Sequence, residues 1–261
     1  MTLLFRAGLG AFLSLMLIHP ASAQWQGKAG AGLRELSHTE NDSGGRRLVR
    51  ESGWLPGVAL GAAYTSGNVT WSAALDWYRG DIDYRGQTQA GTAATSTTET
   101  ALATLHLGAS YALQNGYSAS LALEGDYWKR HILGSGASVG LQERYRSERL
   151  VAGLGKTWAP AAGMVTADIA VLFSTPERMR VGFSGALDQA SLRTKSAPGI
   201  RIGARHRPAF APALELRAYF DWMKIARSED VPVTRMGQFA GTIAQPEHVR
   251  QGLTLSVSTL F

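Results

Sequence analysis

Two carboxylates one residue apart, Asp81-Ile82-Asp83, and a basic run, Lys129-Arg130-His131, are the side chains best suited to chemistry in this 261-residue chain. Paired carboxylates near an imidazole can take a proton from water and turn it into a nucleophile, the general-base route to hydrolysis. Asp81, Asp83 and His131 are therefore the candidate catalytic residues, set against the plainer reading of solvated charge. Other chemistries find little support. The chain has no cysteine, which removes thiol catalysis and cysteine-ligated metals. It shows no glycine-rich phosphate loop, no metal-ligand spacing and no nucleic-acid signature, so neither cofactor nor metal is expected.

The elements that must position these residues are strands. Ten segments carry strand signals: 25–36, 54–65, 69–84, 98–113, 117–132, 143–158, 164–174, 192–207, 213–224 and 248–261. The clearest puts Tyr117, Ala119, Leu121, Leu123 and Tyr127 on one face and Ser118, Ser120, Glu124, Asp126 and Arg130 on the other. A soluble sheet with that alternation needs a layer over its apolar face, and no amphipathic helix is there to supply one. The expected fold is all-β, an antiparallel up-and-down transmembrane β-barrel of about ten strands, with eight to twelve possible.

Connection lengths alternate. Short turns fall near residues 66–68, 114–116, 159–163 and 208–212; long loops cover 37–53, 85–97, 133–142, 175–191 and 225–247. Outer-membrane barrels place short turns in the periplasm and long loops outside, so both termini are expected in the periplasm. Residues 86–100, without Lys or Arg, read as a flexible loop. On lipid-facing parity, Trp25, Tyr64, Trp71, Tyr111, Tyr117, Trp158 and Phe261 lie near the turns, and Trp54, Trp77, Tyr127, Phe173 and Trp222 near the loops. Two such girdles match the headgroup levels that Trp and Tyr favour. Near Gly80 the alternation slips, since Trp77 and later Ile82 and Tyr84 take the apolar phase on opposite parities. A bulge at Gly80 is expected, turning Asp81 and Asp83 toward the lumen.

Both ends of the chain read as addresses. Residues 1–23 hold Arg6, an apolar run over residues 7–18 and Ala21-Ser22-Ala23, the pattern of a signal peptide cleaved after Ala23. Residues 24–261 then form the barrel. The last eleven residues resemble the signal read by the barrel-assembly machinery, carried by Gln251, Gly252, Leu255, Val257 and Phe261.

Inward parity places Glu124, Asp126, Arg130, Arg201, Arg205, Glu215, Arg217 and Asp221 in the lumen. Charges of both signs in so narrow a barrel are expected to pair into a plug, because an unpaired buried charge is costly. The net charge of +6 and the clusters Arg46-Arg47 with Arg50 and Lys129-Arg130-His131 point to lipopolysaccharide phosphates and outer-membrane lipids as partners, not to nucleic acid.

Some of these features resemble the omptin proteases. The likeness rests on Gly44-Gly45-Arg46 before the second strand, Asp81-Ile82-Asp83 on the third and Gln142-Glu143-Arg144-Tyr145-Arg146 opening the sixth. It implies a ten-stranded outer-membrane barrel whose strands rise above the bilayer, with two rim Asp facing an Asp and a His across the mouth. The corresponding loop, 175–191, has Glu177 and Asp188 but no His. The favoured reading is a structural or binding protein with a plugged interior. The alternatives are an omptin-like rim hydrolase and a narrow pore for small solutes.

Overall fold

The computed structural model describes residues 24–87, 91–134 and 139–261. The signal peptide expected over residues 1–23, with its cleavage at Ala23, lies outside the described residues. Fourteen strands follow in chain order: β1 Gln24–Asn41, β2 Arg47–Ser66, β3 Val69–Gln87, β4 Ala93–Ala112, β5 Tyr117–Ile132, β6 Leu141–Trp158, β7 Gly163–Ser174, β8 Arg178–Gly182, β9 Ala190–Arg193, β10 Ala197–Pro208, β11 Leu214–Ile225, β12 Val231–Arg235, β13 Gln238–Ile243 and β14 Glu247–Leu260. Ten of them form the wall, in the order β5-β4-β3-β2-β1-β14-β11-β10-β7-β6, and β5 pairs with β6 to close it. The expected architecture is the observed one, a closed ten-stranded antiparallel barrel.

The described chain begins and ends at the same end of the barrel as the four tight turns. There the last residue exchanges backbone hydrogen bonds with Gly27, Gly27 N to Phe261 O at 2.6 Å and Phe261 N to Gly27 O at 3.0 Å. One turn uses Asn115 and Gly116 at φ 56° and 75°, the left-handed pair that an Asn-Gly turn supplies at low steric cost.

The other end stands taller than the alternation suggested. β1 and β2 run on until only residues 42–46 connect them, although residues 37–53 read as a loop. β4 starts at Ala93, so most of the supposed flexible stretch 86–100 is paired strand. Its threonines suit a pleated surface once a neighbour offers hydrogen bonds. The loops expected at 175–191 and 225–247 fold into hairpins. β8 and β9 extend the wall beside β6, and β12 pairs with β13.

No bulge exists at Gly80. The β3–β4 register runs unbroken from Tyr78↔Leu102 through Ile82↔Thr98 to Tyr84↔Ser96. Ile82 and Tyr84 stay on inward parity, while Asp81 and Asp83 stay outside and exposed. What changes is the solvent, not the pleat. Between the aromatic girdles the exterior is apolar and the interior polar. Above the loop-side girdle the exterior meets water, and the interior fills with Leu36, Leu55, Tyr78, Ile82, Leu102, Trp128, Tyr145, Met179, Val181 and Leu192. The barrel thus carries a soluble-type core above its membrane belt, and hydrophobicity inverts at constant parity.

The girdles themselves are in place. Trp25, Tyr111, Tyr117, Trp158 and Phe261 are exposed near the turns, and Trp54, Trp77 and Phe173 toward the tall end. Tyr64 shares their outward parity yet is buried. It lies between its register neighbours Trp25 and Trp71, with the Trp25 ring 4.9 Å away.

Candidate functional site

The rim acids stand on the outer wall and not in the mouth. Asp81, Glu99 and His131 occupy one register row on the outer wall, where His131 Nδ1 lies 3.2 Å from Glu99 Oε2. Asp83 stands one row higher on the same face. Arg130, which the sequence grouped with His131, points the opposite way and is buried. The facing carboxylates and His that the omptin likeness implied are therefore not brought together. Among the described residues, no group of three His, Asp or Glu side chains converges closely enough to hold a metal ion.

Inside the wall lie two stacked layers. In the lower one, Glu124 binds Arg201 at 2.6 Å and Arg149 at 2.8 Å, and Arg149 reaches Asp126 at 3.0 Å. Asp221 holds Arg34 at 2.9 Å. The space left among these side chains is about 70 Å³, room for a few waters. Nearer the turns, Glu215 takes Arg207 at 3.0 Å and Lys28 at 3.4 Å. Arg205 and Arg217 face inward without a salt bridge among the described residues; Arg217 instead lies over the Tyr219 ring, 4.7 Å from its centroid. Gly252 is part of the layer's fit, since a Cβ there would come within 2.7 Å of the Arg34 guanidinium.

The upper layer lies beyond the loop-side girdle, outside the membrane-spanning segments. Arg130 meets three carboxylates: Glu143 at 2.6 Å, Glu51 at 2.8 Å and Glu40 at 3.5 Å. The Tyr145 hydroxyl accepts from Arg130 at 2.9 Å and donates to Glu143 at 3.0 Å. Trp128 stacks on Tyr145 with centroids 5.0 Å apart and donates its indole N–H to Thr100 Oγ1 at 2.7 Å. Burial and the repulsion of Glu40 and Glu51 push the Glu143 carboxyl up to about 7 against the pull of Arg130. Burial and the Arg130 charge bring His38 down to about 4, so it sits as a neutral ring beside Glu40. Gln245, at the base of the β12–β13 hairpin, donates to Glu40 at 3.0 Å and ties that hairpin into the network. Sequence reasoning missed Glu40 and Glu51 because both fall in the stretch read as loop. Following the parity of β1 and β2 past residue 36 and below residue 54 would have found them.

The outer wall of β5, β6, β8 and β9 carries the other feature. Register aligns Tyr127↔Arg146, Arg146↔Arg178 and Arg178↔Arg193 in one row, and Lys129↔Arg144 and Arg144↔Arg180 in the next. All six cations are on outward parity and all are exposed. Arg146 lies over the Tyr127 ring at 5.4 Å, which sets the band at the upper edge of the girdle. One carboxylate, Glu148, engages it by binding Arg178 at 2.6 Å.

A closed antiparallel barrel with an apolar outer belt, aromatic girdles and a charged lumen defines the class of outer-membrane β-barrels. No family model and no curated protein matches the chain. Among solved structures it is similar to the outer membrane protease OmpT from Escherichia coli, with 10% identity, a TM-score of 0.55, and 93% of this chain and 97% of that one covered. It is also similar to the translocator domain of the autotransporter NalP from Neisseria meningitidis, with 12% identity, a TM-score of 0.49 and coverage of 98% and 94%. The likeness to OmpT is one of fold.

Proposed function

We propose that this protein is an integral outer-membrane barrel that holds lipopolysaccharide on the cationic outer face of β5, β6, β8 and β9. Its tall end then faces outward, with both described chain ends in the periplasm, and its packed interior is structural. The observation that carries this reading is the pair of register rows, Arg146-Arg178-Arg193 and Lys129-Arg144-Arg180, at the upper edge of a girdle. That is the level at which lipid phosphates meet the wall. Guanidiniums bind phosphate through paired charge-assisted hydrogen bonds, and six cations against one carboxylate leave most of them available. Part of the Lys129-Arg130-His131 cluster drops out, because Arg130 is inside; Arg46 drops out because it binds Asp42 at 3.0 Å.

The hydrolase alternative is weakened by the outward, separated placement of Asp81, Asp83 and His131. The pore alternative is weakened by the two filled layers. The test is retention of lipopolysaccharide by the purified folded barrel, compared between wild type and Arg144→Gln/Arg146→Gln/Arg178→Gln. The variant should retain several-fold less and lose the rise in unfolding temperature that added lipopolysaccharide gives the wild type. Equal retention and equal stabilisation would remove the assignment.

A further inference from the structure

On the stretch of wall adjoining β5, above the membrane belt, a concavity of about 430 Å³ opens on the outer face of β2, β3 and β4. Its charged lining is Arg47, Arg50 and Arg85 with Asp83; Ser52 and Gln87 supply neutral polar groups. Arg50 and Arg85 stand directly opposite each other in the β2–β3 register. Like charges so placed repel and destabilise a sheet. Among the described residues, none of these three guanidiniums forms a salt bridge or a side-chain hydrogen bond, although Asp83 and Ser52 form the neighbouring register pair. The Glu35 carboxylate acts on Arg50 only at a distance and forms no salt bridge with it, so an anion between the two arginines would relieve their repulsion.

We propose that this concavity is a binding site for an anionic sugar, phosphorylated or carboxylated. The acid group would sit between Arg50 and Arg85, where two planar forks offer bidentate donors. A bare anion would leave the rest of the lining unused. Asp83 and Gln87 are the acceptors that sugar hydroxyls need, and the volume falls in the range of small-molecule sites. Asp83 thereby gains a role as a hydroxyl acceptor in a binding site, not as a catalytic base. The site is separate from the lipopolysaccharide band and goes beyond that reading. The sugar acid could belong to the core of a membrane glycolipid or to an external polysaccharide.

The experiment uses the full folded barrel in detergent, with glucose 1-phosphate as probe and inorganic phosphate as the charge-only control, read by titration calorimetry. Glucose 1-phosphate should bind more tightly than phosphate. Arg50→Gln/Arg85→Gln should weaken it by at least about tenfold, the scale of one lost charge-assisted hydrogen bond. Asp83→Asn should shrink the preference for the sugar phosphate over phosphate. Wild-type affinity in Arg50→Gln/Arg85→Gln, or no binding by the wild type at about 10 mM, a level that even weak carbohydrate sites reach, would overturn the proposal. Binding lost in Arg144→Gln/Arg146→Gln instead would place the anion on the other face and overturn it equally. Displacement of the probe by core-bearing lipopolysaccharide but not by lipid A assigns a membrane source, and displacement by alginate an external one. Displacement by neither would defeat the saccharide identity.

Discussion

Arg130 donates to Glu143 at 2.6 Å from the directly opposed position on the neighbouring strand, and both side chains are buried inside the barrel. That pair is the centre of a group in which one guanidinium serves three carboxylates. Arg130→Met should therefore leave Glu40, Glu51 and Glu143 buried without a cation, at a cost of about 3–5 kcal/mol. Removing all three carboxylates as well, by changing Glu40, Glu51 and Glu143 to Leu, should recover most of that loss, because an apolar replacement of a whole buried ion group is often neutral. Urea unfolding followed by tryptophan fluorescence measures both variants. A single Arg130→Met variant as stable as wild type would refute the account.

The same group predicts a pH optimum. Glu143 is raised to about 7 in the folded barrel from the ordinary 4.5, so its contribution is full below about pH 4.5 and disappears as pH climbs through 7. At about 1.4 kcal/mol per pH unit this is worth up to about 3 kcal/mol. His38 works in the other direction. Lowered to about 4 from 6.5, it binds its proton more readily when unfolded, so stability declines as pH falls below 6.5. Between about pH 4.5 and 6.5 the two slopes offset each other, so the unfolding midpoint should stay nearly level there and fall above about pH 6.5 and below about pH 4.5. Glu143→Gln should flatten the alkaline arm and extend the acidic arm up to about pH 6.5, where His38 is no longer offset; an alkaline arm that survives in the variant would show that another group causes it.

The proposed reading, in which two layers seal the lumen, makes a prediction about conduction. The Glu124–Arg149–Arg201 layer lies below the core that contains Trp128 and Tyr145. Wild type in planar bilayers should show no resolved current steps. Glu124→Ala/Arg149→Ala/Arg201→Ala should show none either, since the upper layer still excludes water and ions. Steps in the variant alone would make the ionic layer the only seal, and steady wild-type steps would show an open lumen.

The barrel was legible in the sequence because parity survives every change of surroundings. Tyr127 outside and Trp128 inside follow directly from the alternation through β5. What was not legible is where the surroundings invert. Near Asp81 the apolar phase moves to the other parity because the wall has left the membrane belt, and that shift imitates a bulge. For the same reason Glu40 and Glu51, which lie inward near the end of β1 and the start of β2, looked like loop charges. The cationic rows escaped notice because Arg178 and Arg180 come from a segment read as loop; only strand register brings them beside Arg144 and Arg146, with Arg193 on the far side of Arg178. A single sequence holds the alternation but not the height of the belt along each strand.

Gly252 separates two explanations of one residue. The sequence assigns it to an assembly signal with Gln251, Leu255, Val257 and Phe261, a role played before the barrel closes. The structure gives it a second one, because it faces the lumen and leaves space for the Arg34 guanidinium that binds Asp221 at 2.9 Å. Gly252→Ala should push that guanidinium aside and weaken the pair, since the intruding Cβ would lie 2.7 Å from Arg34 Nη2. Arg34 also donates to Thr254 at 2.7 Å, so it cannot retreat freely, and a loss of about 1–3 kcal/mol in folded stability is expected. Arg34→Lys in the same chain, with a slimmer ammonium in place of the planar fork, should restore part of it. If Gly252 serves assembly alone, the alanine variant will insert slowly yet unfold at the wild-type urea concentration, and the lysine change will rescue nothing. Measuring insertion rate and unfolding midpoint on the wild type, the alanine variant and the double variant tells the two roles apart.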